Sequence, residues 1–457
     1  MKNRNWEVTK KLPLSFCFEK FRSVTKPALD SLSAKVKKMS KKNKLSFNAT
    51  WSMAVGGMVG GGIFSVMGLI VQIAGQWAWL SFLISGVIGF ISAWSYCQMA
   101  VKFQESGGAF TYLRKMDRKG FAGSLAWVLI LGYILSVSVY GFTFGHYVAH
   151  AFHFGDWFPR VLAFGVIGIL TLVNLRSVGD SSSVEIVTVW GKLMVLMALA
   201  VFGLLHWDTP KLTEGISPKN IGDALSGAAT IFIGYQGFQL LTYDYSSIYK
   251  AEKTLPKATL SAVLSVIVIY LAVCLGTTML VGAETVIKQK EIALSVAGQK
   301  AIGKSGMILV TIAAAFSTAS AINATLFSTS RLVEDVARKN DLPSELAKEN
   351  RAKMPYFGLL LISSLSIVLA VIGSLSSLVS AASLIFLFAF GVVNWIAYQE
   401  KIRYYKLSLA GAIGTAIAIV VDGWYLAKQS PAALIALAVI VAIAVVGRKF
   451  LLEKFSS

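Results

Sequence analysis

The chain has 457 residues, 55% of them hydrophobic and only 14% charged, with a mean hydropathy of +0.66. Soluble domains carry about 25% charged residues, so a soluble globular fold is excluded, and the apolar content is enough for about twelve membrane spans of about 20 residues each. The formal charge of +20 fits either a nucleic-acid binder or a membrane protein whose lysines gather on one side, and the placement of the spans decides between them.

The first 46 residues hold 13 Lys and Arg against Glu7, Glu19 and Asp30. After Pro27, Leu29, Leu32, Val36 and Met39 recur every three to four residues. That is the pattern of a basic amphipathic helix on the anionic inner leaflet, and a solvated, disordered tail that helps fix orientation fits the composition equally well. No signal peptide is expected, because no apolar h-region follows the first lysines.

Twelve apolar segments then follow, near 47–74, 78–101, 121–149, 159–175, 184–206, 222–247, 259–283, 305–330, 356–374, 377–399, 407–427 and 431–447. Their length and lack of period-2 alternation predict helices, since an open strand edge in lipid leaves backbone groups unpaired. The expected organisation is a basic cytoplasmic tail (1–46), a first set of five helices (47–206), a second set of five (222–399), and a last pair with a short cytoplasmic C-terminus (407–457). With an even number of spans, 34 of the 43 Lys and Arg fall in the loops on the side of the termini and 8 on the other. The positive-inside bias puts both termini in the cytoplasm of a multi-pass cell membrane protein. Lipid headgroups then account for the basic charge, and no nucleic-acid partner is expected.

The first span carries Gly56, Gly57, Gly60, Gly61 and Gly62, five glycines in seven residues. Each costs about 1 kcal/mol of helix stability relative to alanine, so the run favours unwinding at the bilayer midplane, where freed backbone must face a cavity, a ligand or another helix. Gly56 with Gly60, and Gly57 with Gly61, also fit the small-xxx-small spacing of a helix-packing face. Further along, His146, His150 and His153 cluster near the outer end of the third span with no Cys or mid-span acid beside them. Surface histidines explain them more simply than a metal patch. The three cysteines, Cys17, Cys97 and Cys274, show no metal-ligand spacing, so no metal and no cofactor is expected.

The fifth span contains Lys192, about 12 Å from its cytoplasmic end at 1.5 Å per residue. A charged lysine at a helix centre costs about 2.5–3.5 kcal/mol, so it should face the bundle interior. Glu105, Glu185, Asp223 and Asp422 are all expected near span ends, leaving no mid-span acid as its partner. The sixth span is interrupted in its turn, with Gly234 and Gly237 flanking Tyr235 and Gln236. Glycine-broken helices at corresponding positions of two halves point to an inverted-repeat transporter with its site at the midplane. Free N–H groups at the outer half of the first span would hold an anion, and free carbonyls of the sixth would accept from a cation. A free amino acid, which is a zwitterion, matches both.

These segments resemble the amino acid, polyamine and organocation superfamily of secondary transporters, and within it the prokaryotic proton-coupled amino acid permeases. Gly60-Gly61-Gly62-Ile63-Phe64 resembles that family's first-helix signature, and Phe232-Ile233-Gly234-Tyr235-Gln236-Gly237-Phe238 its sixth. Ala251 to Ala258 resembles the loop after the sixth helix, and Ala321-Ile322-Asn323-Ala324 with Ser330-Arg331 and Lys339 to Pro343 the end of the eighth. Two departures stand out: the proline of the family's loop after the second helix is altered in Gln104 to Tyr112, and Gln239 stands where many relatives carry an acid. The second argues against dibasic substrates.

The resemblance implies an all-α, five-plus-five inverted-repeat (LeuT-like) core with two additional C-terminal helices, working by alternating access. It implies that the substrate carboxylate sits on the backbone of Gly60, Gly61 and Gly62, and the amine on carbonyls of Phe232, Ile233 and Tyr235. Tyr133 either hydrogen-bonds at the pocket or packs between helices. It also implies that Lys192 occupies the place of a bound sodium, beside the Gly56 carbonyl and the hydroxyls of Ser317 and Ser320. There it would be the proton carrier of a sodium-independent symporter, a fixed cation in a proton-independent exchanger or facilitator, or a structural ammonium. A membrane-embedded enzyme would need a paired acid and base, a metal cluster or an activated nucleophile at membrane depth, and an ion channel a repeated pore loop or charged ring; none of these is visible.

Overall fold

The computed structural model describes residues 44–152, 154–176 and 182–443. The expected amphipathic tail, His153 and the short C-terminus from 444 onward lie outside the described residues. What is described is helical, with two isolated β-bridges and no strand.

The first span is split into α1 (Phe47–Val59) and α2 (Gly62–Ala74), which a 3₁₀ turn joins to α3 (Ala78–Phe103). Ser46 caps α1 by accepting from the Ala49 N–H at 3.3 Å. After α3 come the short α4 (Gly108–Lys115), then α5 (Lys119–His150), α6 (Phe158–Arg176) and α7 (Ser182–Leu205). The second half opens with α8 (Asp223–Thr230), two 3₁₀ segments (Phe232–Tyr235 and Phe238–Ser247) and α9 (Ala251–Val281). It continues through α10 (Ala283–Gln289), α11 (Ala293–Ile302), α12 (Lys304–Arg338), α13 (Tyr356–Ile372) and α14 (Leu375–Gln399), and closes with α15 (Tyr405–Gln429) and α16 (Pro431–Ala442). The short helices α4, α10 and α11 are not among the expected segments, because seven to ten residues of mixed polarity carry no spanning signal.

Eight helical runs among the described residues are long and apolar enough to cross a membrane. One of them, Phe47–Phe103, contains α1 to α3, while α13 and α16 are apolar but shorter. Helix length alone therefore does not fix the expected count of twelve crossings.

The central and outer helices differ in what they bury. The first span is enclosed on nearly every side, whereas α6 and α15 keep most of their apolar surface outside, including Phe164, Ile169, Leu172, Val420 and Trp424. In water such a belt would drive aggregation; facing lipid tails it costs nothing, so the polar residues of the bundle collect inside. At one end of the bundle, charges pair instead. Arg114 of α4 meets Asp341 at 2.5 Å, and Arg331, Glu334, Arg338 and Glu349 form a connected network.

Candidate binding site at two interrupted helices

The first break is minimal. Only Gly60 and Gly61 leave the helical pattern, between α1 and α2. A side chain cannot be accommodated there: a Cβ on Gly60 would fall 2.5 Å from the Ala321 Cβ, and one on Gly61 would enter the ring of Tyr140. Gly61 offers no capping side chain to α2, so the first-turn N–H groups from Gly62 to Phe64 point past the break with no acceptor supplied by their own helix.

The second break is longer. From Ile231 the chain tightens into a 3₁₀ turn, becomes extended at Gln236 (φ −76°, ψ 156°) and passes Gly237 at φ +124°, a conformation suited to glycine. The two breaks touch through backbone. A Cβ on Gly57 would lie 3.1 Å from the Gly237 Cα, and one on Gly62 would lie 2.8 Å from the Gly234 carbonyl oxygen. The Tyr270 hydroxyl of α9 lies 2.8 Å from the Met58 carbonyl and 2.9 Å from that of Gly234, so one donor spans both interrupted helices.

Side chains from other helices hold the second break in place. Ser383 of α14 accepts from the Ile233 N–H at 3.0 Å and donates to the Thr230 carbonyl at 2.6 Å. Gln236 donates to the Tyr140 hydroxyl at 2.5 Å. Gln239 Nε2 reaches Gln236 Oε1 at 3.0 Å and the Tyr133 hydroxyl at 3.4 Å, and its Oε1 accepts from the Gly237 N–H at 2.7 Å. The Ile233 carbonyl already accepts from the Gln236 N–H at 3.2 Å, leaving one lone pair, and the Tyr235 hydroxyl turns away to the Phe82 carbonyl at 2.7 Å.

Lys192 of α7 is 2% exposed, and its Nζ donates to the Gly56 carbonyl at 3.2 Å. Trp190, two residues before it, stacks on Trp51 of α1 with ring centroids 5.4 Å apart, so two contacts fix α7 to α1. Ser317 of α12 donates to the Val59 carbonyl at 2.8 Å. Ser320 lines a cavity of about 10 Å³ together with Gly56, Gly57, Gln236, Gly237 and Thr325. That volume holds about one water. Gly56 and Ser320 therefore meet at one cavity on the α1 side of the first break, Ser317 bonds the end of α1 one turn away, and Gly62 meets Gly234 beyond it.

Asp422 stands in about the last two turns of α15, near the span end as expected, yet its side chain is fully buried where α8 packs against α15. It accepts from the Thr230 hydroxyl at 2.8 Å. Sequence reasoning missed Tyr140, Tyr270 and Ser383. Tyr140 was within reach, since it stands seven residues from Tyr133 and so on the same face of α5. Nothing local marks Tyr270 or Ser383. Among the described residues no cluster of His, Cys, Asp and Glu could hold a metal ion.

Comparison with known proteins adds an independent line. A family model described as amino acid permease matches residues 45–447. The chain is 25% identical over 355 residues to the inner membrane transport protein YbaT of Escherichia coli, covering 77% of this chain and 82% of that protein. It is also 25% identical over 298 residues to the serine/threonine exchanger SteT of Bacillus subtilis, covering 64% of this chain and 67% of that protein. A crystal structure of a manganese transporter from Eremococcus coleocola superposes with a TM-score of 0.63 over 90% of this chain and 94% of that one, at 12% identity. That likeness concerns the LeuT-like fold alone.

Proposed function

Because the chain belongs to the amino acid permease family, we propose that it carries free amino acids across the cell membrane by alternating access, driven by protons and independent of sodium. The observation that carries this reading is the meeting of two interrupted helices through bare backbone, Gly57 on Gly237 and Gly62 on Gly234. In this proposal the substrate carboxylate takes the N–H groups of Gly60, Gly61 and Gly62, and the amine takes carbonyls of Phe232, Ile233 and Tyr235, with Tyr133 at the wall. The cavity beside them is too small for an amino acid, so binding requires the breaks to separate, which the alternation between outward- and inward-facing states supplies. The exchanger named among the relatives supports an amino acid cargo. Both termini are assigned to the cytoplasm by the Lys and Arg asymmetry.

Lys192 is assigned the proton. Its ammonium lies on the Gly56 carbonyl of α1, in the position where a coupling cation would tie α7 to the first span, so gaining or losing its proton makes or breaks that tie. The test is uptake of labelled amino acids by proteoliposomes under an imposed pH gradient or sodium gradient. Uptake driven by the pH gradient, and lost in Lys192→Ala, is the expected result. Sodium-driven uptake by the wild type overturns the assignment of Lys192. Accumulation only against preloaded internal amino acid, insensitive to pH, identifies the exchanger, with Lys192 as a fixed cation.

A further inference from the structure

Asp422 is an acidic side chain inside the bundle that the transport reading leaves without a role. Its relative exposure is 0%, and among the described residues it forms no ion pair. One carboxyl oxygen, Oδ1, accepts from the Thr230 hydroxyl at 2.8 Å, while the other, Oδ2, is buried with no hydrogen-bond partner. Burying a charge without a counter-charge costs several kcal/mol, and what this side chain supplies that an apolar one would not is its bond to Thr230.

Its partner suggests what that is. Thr230 is the last residue of α8, where the helix gives way to the second break. The Thr230 carbonyl accepts from Ser383 Oγ at 2.6 Å, and the same Oγ accepts from the Ile233 N–H at 3.0 Å. A continuous series of hydrogen bonds thus runs from α15 through the end of α8 to α14 and back into the first turn of the break. Thr230 and Asp422 are 192 residues apart in sequence, and α15 belongs to the pair of helices that follows the two sets of five. The α15 helix otherwise faces lipid over most of its surface.

We propose that Asp422 is a positioning residue for the carrier: it acts as a hydrogen-bond acceptor, not as a charge, and through Thr230 it fixes where the second interrupted helix ends and so where the backbone around Ile233 stands. This rests on the transport reading for its consequence on substrate, and on geometry alone for its consequence on the break. An amide supplies the same acceptor as the carboxyl, which sets the test.

Four variants separate the outcomes. Asp422→Asn and Thr230→Ser each keep the hydrogen bond, and uptake by proteoliposomes should remain within about twofold of wild type. Asp422→Leu and Thr230→Val each remove it, and each should raise KM about tenfold while leaving the maximal rate within about threefold, the scale expected when a buried hydrogen bond is lost. The double variant Asp422→Leu/Thr230→Val should be no worse than either single one, since both remove the same bond. If Asp422→Asn is as damaged as Asp422→Leu, the acceptor role is overturned in favour of a charge or proton role. If Thr230→Val transports like wild type, the latch itself is overturned. Thr230→Val also guards against misfolding of Asp422→Leu, because it deletes one hydroxyl at constant shape. Amide hydrogen exchange of the purified protein reads the break without transport: Thr230→Val should expose the Ile233 amide to exchange at least about tenfold faster, and an unchanged rate overturns the proposal. A wild type that moves no amino acid while the Ile233 amide responds as stated would sink the transport reading and leave the latch standing.

Discussion

The two interruptions solve the same problem by different means. The first is two residues long and is made by omission: Gly60 and Gly61 carry no side chains, and the space is filled by Ala321 and the Tyr140 ring. The second extends from Ile231 to Gly237 and is made by addition: Ser383, Gln239 and Tyr270 each bond a backbone group that the missing helical ladder would have paired, and Tyr140 holds the Gln236 side chain. A break held by glycines leaves N–H groups directed past its end, which suits an anion. A break held by side chains has its backbone groups individually claimed, and only the remaining carbonyl lone pairs can take a cation. The difference also predicts unequal tolerance: the glycine break should fail outright when given volume, and the side-chain break should weaken bond by bond.

The largest effect is expected at the first break. Gly61→Val drives a branched side chain into the Tyr140 ring, and uptake should fall by more than about a hundredfold, since overpacking at a closed backbone contact costs about 1–3 kcal/mol and misplaces the N–H groups as well. Activity near wild type would show that the short break needs no bare backbone. Next is Gly237→Ala. At φ +124° and 2.5 Å from the Gly57 carbonyl carbon, the new methyl combines strain with a clash, costing about 1–3 kcal/mol. It should lower the detergent-solubilised Tm by several degrees along with uptake.

Ser383→Ala removes one acceptor and one donor from the second break without adding volume. A rise in KM of about five- to tenfold is expected from the buried Ile233 N–H left unpaired, and an unchanged KM would mean that the break is held by packing. Tyr140→Phe is the mildest. It deletes the acceptor for Gln236 but keeps the ring that fills the space at Gly61, so KM should rise by no more than about threefold. A larger loss there would merge the two breaks into one functional unit and erase the contrast.

How much of this was legible differs by element. The glycine runs were readable because helix propensity is local, and Lys192 was readable because a lysine in an apolar span has few places to go. Its bond to Gly56 follows from which faces of α7 and α1 meet, which the resemblance anticipated and composition could not. Asp422 was legible as an acid near the end of its span, but its burial comes from the packing of α8 against α15, which position along the chain does not encode. The helices α4, α10 and α11 are not legible because seven to ten residues are too short to give a spanning signal.

By itself the sequence determined that the chain enters a membrane as helices, which way the basic loops favour its orientation, and that two helices are weak at matching places. These are set by transfer free energy and backbone entropy, which act residue by residue. Only the tertiary structure decided that Gly57 lies on Gly237, that Tyr270 serves both breaks, and that Asp422 reaches Thr230 across 192 residues. Buried polar groups inside an apolar bundle must find partners, and which partner each finds depends on packing between helices distant in sequence, for which no local pattern exists.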